Sequence, residues 1–122
     1  MQEETHLLRQ INPSFIQDGK ITSQAFSPTP KDELKLSCYD GDLIEAPAAY
    51  VHFVEGLGLK STGVLSVTMD ECSNNGLQVR PDPEPFPEHA IIDFSGYSPN
   101  DVRRKAKLLR AVAEQRGWLF KP

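Results

Sequence analysis

The chain of 122 residues has only two cysteines, no apolar run near the length of a membrane span, and no glycine-rich loop of nucleotide-binding spacing. Each absence removes a class of function. Cys38 and Cys72 lie far apart, without a CxxC pair or a histidine at ligand spacing. Neither a disulfide framework nor a zinc site is therefore indicated, and each cysteine is expected to act as a small buried apolar residue. A membrane helix needs about 20 consecutive apolar residues. An export leader would be basic and then apolar, whereas Met1 to Arg9 carries Glu3 and Glu4, so a cytoplasmic protein without membrane association is expected. "GLGLKSTG", Gly56 to Gly63, fits neither GxGxxG nor GxxxxGK[ST]. No nucleotide, or any other cofactor, is called for. The short acidic pairs Asp40 with Asp42 and Asp70 with Glu71 lack the alternating oxygen ligands and distant glutamate of a calcium loop. They read as turn and cap residues, and no metal site is expected.

What is present is the composition of a folded domain: 39% hydrophobic and 25% charged residues. That length supports one core rather than two, so residues 1–122 are read as a single domain, with residues 1–5 flexible. The net charge of -4 conceals an asymmetry. From Pro99 to Pro122 seven basic residues face two acidic ones, leaving six basic and fifteen acidic residues in the rest. One end is basic and the remainder is acidic.

The strongest local signal is Ser98 to Gly117. Ser98 can cap, Pro99 suits a first turn, and Gly117 supplies a stop. Val102, Ala106, Leu109 and Ala113 recur at helical spacing, with Leu108 and Val112 widening the stripe. "EAPAAYVHFVEGLG" predicts a shorter helix whose buried stripe is Tyr50, Phe53, Val54 and Leu57, and "DECSNNG" a helical turn capped at Asp70. Strands are expected in "THLLRQI", "KITSQAFS", "LKLSCYD", "GVLSVTM", "LQVRP" and "HAIIDFS", the third with Leu34, Leu36 and Cys38 on one side. "WLFKP" either adds a strand or lays Trp118 and Phe120 over the core. The expected fold class is α+β: a mainly antiparallel sheet of about five strands, the long C-terminal helix across one face, and one shorter helix.

"RPDPEPFPEH" places proline at positions 81, 83, 85 and 87. Too little chain follows for a second core, so residues 80–88 are expected to form an extended surface connector rather than a linker. Phe86 is its expected anchor in the core, with Asp82 and Glu84 facing water. The connector would set the position of His89.

Of the three histidines, His6, His52 and His89, the last is the most suggestive. A strand from His89 onward puts His89, Asp93 and Ser95 on one face, and these are the candidate catalytic residues. His89 and Asp93 stand about 13 Å apart along such a strand. They cannot act together without a group from another strand. "DFSGY" also lacks the GxSxG turn of a nucleophilic serine. Arg9, Ser23 and Gln24, with Glu71 as the only plausible carboxylate, resemble the pattern by which NAD-dependent ADP-ribose transfer sites hold their cofactor, although the acidic signature is missing.

Arg103, Arg104, Lys107 and Arg110 lie mostly off the apolar stripe of the C-terminal helix, as a candidate face for an acidic protein partner. Nucleic acid is disfavoured, because the whole chain is acidic and no aromatic residues are interleaved with these cations. The leading expectation is a noncatalytic accessory or protein–protein interaction domain. The alternatives are a small hydrolase or transferase with its site around His89 and Asp93, and nucleic-acid binding by the basic helix.

Overall fold

In the computed structural model, which describes residues 1–122, ten elements follow the chain. They are β1 (His6–Gln10), β2 (Ile16–Gln17), β3 (Lys20–Ile21), β4 (Lys35–Asp40), α1 (Ala46–Val51), β5 (Val64–Thr68), α2 (Met69–Asn74), β6 (Gln78–Pro81), β7 (His89–Asp93) and α3 (Pro99–Arg116). Five strands form one antiparallel sheet in the order β5-β1-β4-β7-β6, and β2 and β3 pair as a separate small hairpin. The fold is α+β, with α3 across one face. No helix is long and apolar enough to cross a membrane.

Period-two alternation decides which side chain meets which layer. Leu7, Leu36, Cys38, Leu65, Val67, Ala90 and Ile92 point toward α3, where Val102, Leu109 and Ala113 close the main core. Their neighbours Leu8, Ser37, Tyr39, Ser66, His89 and Ile91 therefore point to the opposite face. That second face is only half covered. Ala46 and Ala49 of α1 pack on Leu8, Tyr39 and Val64, with Phe53, Phe86 and Phe120 at the margin. The uncovered half is a groove.

Helix α3 begins as its sequence dictates, with the Ser98 hydroxyl accepting from the Asp101 amide, and it ends at Gly117 with φ 90°. Leu108 is exposed and lies outside the apolar stripe. Lys105 is buried instead, with its ammonium over the Tyr97 ring and bonded to the Asn75 carbonyl. The long methylene stem packs while the charge finds two partners.

Several local expectations give way to tertiary packing. "KITSQAFS" is a strand only at Lys20–Ile21, after which Ser23–Phe26 form a 3-10 turn. Ala25 and Phe26 both enter the main core, and consecutive strand residues cannot face the same side. Leu34, at φ 61°, turns the chain into β4 and is not part of that strand. The cap of α2 is Thr68, not Asp70: its hydroxyl accepts from the Glu71 amide, while the Glu71 carboxylate accepts from the Thr68 amide. Thr5 is buried, and its hydroxyl donates to Asp42. At the other end Trp118 packs on the main core, and Phe120 is bridged to Val64 along the outer edge of β5. Gly63 makes room for this segment, because a Cβ there would stand 2.7 Å from the Phe120 carbonyl oxygen.

Two changes shape the groove. The residues after α1 widen into a π-helical turn, His52–Gly56, with the Leu57 amide bonding back to the His52 carbonyl. One extra residue per turn rotates the apolar stripe, which carries Leu57 out to 44% exposure. The proline-rich stretch is a curled hairpin loop between β6 and β7 rather than an extended arm. The amide of His89 bonds to the Phe86 carbonyl, and that of Asp82 to the His89 carbonyl. The curl turns Asp82 back toward His89.

Candidate active site

The groove occupies about 530 Å³ on the open half of the second face. It is lined by the apolar Leu8, Phe53, Leu57, Leu59, Phe86 and Ile91, by the polar Gln10, Ser37 and His89, and by the charged Arg9, Lys31, Asp32, Glu33, Lys35 and Asp82. Ligand sites commonly combine apolar surface with convergent polar groups.

His89 stands at the centre of the polar set. Its register partner is Tyr39, which places it diagonally from Ser37 on the neighbouring strand. Ser37 Oγ lies 3.1 Å from His89 Nε2. On the other side of the ring, Nδ1 is 2.9 Å from the Asp82 main-chain oxygen and 3.3 Å from its carboxylate. A carbonyl oxygen can only accept, so Nδ1 carries the ring proton. Nε2 of the neutral ring is then an acceptor, and the Ser37 hydroxyl donates to it. His89 is buried while Ser37 is exposed. A hydroxyl open to the groove is thus joined to a shielded base whose tautomer is fixed from behind.

Phe86 holds this arrangement from above. Its ring centroid is 5.2 Å from that of His89, 4.6 Å from His52 and 5.0 Å from Tyr39. Tyr39 Oη and His52 Nδ1 are joined at 2.8 Å. Burial, aided by the charge of Glu88, pushes the Tyr39 phenol up to about 12, so it stays protonated. Phe86 is therefore an anchor as expected, but on the groove side of the sheet and not in the main core.

No family model, curated protein or solved structure matches the chain.

The other residues proposed from sequence do not join His89. Asp93 sits four strand positions away, paired with Arg80 at 2.9 Å and accepting from the Ser95 amide. The strand ends at Asp93, which leaves Ser95 in the following turn and off its face. Ser37 and Asp82 were the missed partners. Ser37 is legible only as a polar residue between the buried Leu36 and Cys38, and Asp82 only as one acid among prolines. No local signal connects either to His89.

The Asp93 pair has a measurable consequence. Burial alone would raise this carboxyl, but hydrogen bonds from Ser95 and the bonded Arg80 cation outweigh it and hold Asp93 below the usual carboxylate range. A depressed folded-state pKa stabilises the fold above the unfolded value of about 3.9, and that contribution is lost as pH falls through the folded value. Asp93→Asn is expected to lower the melting temperature at pH 7, with a deficit that shrinks as melts are repeated from about pH 5 to pH 2. A deficit independent of pH would refute this assignment.

The pattern resembling ADP-ribose transfer does not assemble. Arg9 is committed to the Ala25 and Ser37 carbonyls, Ser23 lies in the 3-10 turn, and Glu71 pairs with Arg116 at 2.6 Å. Cysteine chemistry is also excluded, since both thiols are buried. Burial pushes Cys38 up to about 12 and drives Cys72 in the same direction. No three His, Cys, Asp or Glu side chains converge to hold a metal. On α3, Arg104 pairs with Asp101, Arg110 with Glu114, and Arg103 bonds to Asn100, while Lys107 is exposed without a salt bridge. Much of that basic face is answered within its own helix.

Proposed function

We propose that the protein is a small hydrolase or transferase working by serine–histidine acyl transfer in this groove. The observation that carries the reading is the chain of contacts from Ser37 Oγ through the His89 ring to Asp82, at 3.1 Å and 2.9 Å. It joins an exposed nucleophile to a base whose free nitrogen accepts its proton. In the proposed reaction Oγ bonds to a substrate carbonyl carbon as its proton passes to Nε2. The tetrahedral adduct then expels the leaving group, which takes that proton from His89. Water or an acceptor alcohol attacks the resulting ester by the reverse path and frees Ser37. The Asp82 carboxylate, 3.3 Å from Nδ1, stabilises the imidazolium formed between these steps. The apolar walls favour a short acyl chain or another compact apolar group.

A fluorophosphonate probe tests the reading directly. Intact protein is expected to label at Ser37, with labelling lost in Ser37→Ala and strongly slowed in His89→Gln. Absence of labelling in the intact protein, or labelling unchanged in Ser37→Ala, would dismiss it.

A second, noncatalytic reading draws support from the exposed leucines at the mouth. Leu57 and Leu59 are 44% and 49% exposed, a face suited to a protein partner. It predicts a stoichiometric complex from native lysate that is lost on Leu57→Asp with Leu59→Asp. A complex indifferent to that double change would count against it.

A further inference from the structure

Strands β1 and β4 part beside Ser37, and a cation fills the split. Their pairing covers only Leu7 with Asp40 and Leu8 with Tyr39. Continued, that register would bring Gln10 opposite Ser37, but there the Ser37 carbonyl accepts from the Arg9 guanidinium instead. Arg9 leaves β1 on the side of α3, where its Nε donates to the Ala25 carbonyl at 2.8 Å and the Phe15 ring lies against it. Its Nη1 reaches the Ser37 carbonyl at 2.9 Å, and the residue forms part of the groove lining. Nη2 has no partner within the chain and remains accessible.

This guanidinium lacks a counter-ion, since no carboxylate of the chain stands within salt-bridge distance of it. Burial draws it down from its ordinary value, the sign of a cation taken out of water without full compensation. An arginine keeps its charge all the same. The other charged groups of the lining do not answer it. Glu33 is paired with Lys35 at 3.0 Å, the Asp32 carboxylate accepts from the Thr29 hydroxyl, and Lys31 is exposed without a salt bridge. Asp82, the remaining acid, is turned to His89. A planar guanidinium with free N–H groups is the natural partner of a carboxylate. We infer that Arg9 binds the carboxylate of an anionic substrate whose carbonyl carbon is attacked by Ser37. This rests on the serine–histidine reading and narrows its substrate class to half-esters or half-thioesters of short dicarboxylic acids. The spacer must be short, as in a succinyl group, because Nη1 is bonded to the main chain of Ser37 itself. The carboxylate anchored on Arg9 then holds the reacting carbonyl against Oγ.

Ethanol release from monoethyl succinate and from ethyl succinamate, its neutral isostere, tests the inference on the whole chain. The unaltered protein is expected to prefer the anion by about 10- to 100-fold in kcat/KM. Arg9→Met should bring that ratio near one, Arg9→Lys should restore part of it as a charge without the planar fork, and Lys31→Met should keep it. Since Arg9→Met also strips the donors from the Ala25 and Ser37 carbonyls, a second measurement uses no variant. N-methylsuccinamate should slow fluorophosphonate labelling of Ser37 at concentrations at least about tenfold below those of the neutral N-methylsuccinamide, with an advantage that shrinks in added salt. Equal turnover of the two esters, or equal protection by the two amides, in the unaltered protein would overturn the role of Arg9 while leaving Ser37 and His89 in place. A preference that persists in Arg9→Met, or disappears in Lys31→Met, would also overturn it. If the unaltered protein turns over neither ester and takes no fluorophosphonate, the serine–histidine reading fails and this inference falls with it.

Discussion

His89→Gln is expected to lower kcat/KM for p-nitrophenyl butyrate by about 10³-fold, within the range found for loss of a positioned general base. Glutamine can keep a donor toward the Asp82 main chain, but it offers Ser37 no basic nitrogen. The nucleophile then remains a neutral hydroxyl. Asp82→Asn should cost far less, about tenfold. In many triads a carboxylate alone orients the ring, whereas here the main-chain oxygen at 2.9 Å does so and survives the substitution. What is lost is the charge at 3.3 Å, on a side chain 41% exposed and therefore well screened. Steady-state kinetics of the three proteins decide the matter. Equal losses in both variants would show that the carboxylate sets the tautomer, and full activity in His89→Gln would remove His89 from the reaction.

Phe94→Ala is expected to destabilise the fold by about 3–5 kcal/mol. Phe94 is fully buried in the main core, just past the end of β7, and its amide bonds to the Leu34 carbonyl. Neighbours held by a five-stranded sheet on one side and α3 on the other cannot collapse far into the space left behind. For a domain of this size such a loss is a large part of the whole folding free energy. Phe86→Ala offers the contrast. Its ring is half-buried on the groove side, so truncation should cost about 1 kcal/mol. It nevertheless removes the ring packed on His89, Tyr39 and His52, and should impair catalysis more than folding. Urea unfolding of both variants provides the comparison. A Phe94→Ala midpoint no lower than that of Phe86→Ala would show that the core relaxes around the loss.

The elements that could be read in advance are those whose signals are local. A capping serine, a proline in the first turn, four apolar residues at helical spacing and a terminal glycine define α3 within a single stretch. The alternation of Leu36 and Cys38 with Lys35, Ser37 and Tyr39 likewise marks β4 as a strand with two different faces. Where the signal was equally local but the packing differed, the reading failed. Ala25 and Phe26 look like successive strand residues, and only their shared burial in one cluster forces a turn. Leu57 fits the stripe of an ideal helix, and only the widened turn from His52 to Gly56 carries it to the surface.

The site divides along the same line. The amino-acid sequence by itself determined that His89 begins a strand, that a stiff proline-rich stretch precedes it, and that both cysteines are hidden. Side-chain period and restricted proline torsions act over a few residues and need no partner. The tertiary structure alone decided what His89 touches. Ser37 is 52 positions away in the chain and comes within reach only through the β4–β7 register. Asp82 is nearer in sequence, yet it faces the ring only because the loop curls back on itself. Contacts of this kind are set by strand order and register, which depend on the burial of the whole chain at once.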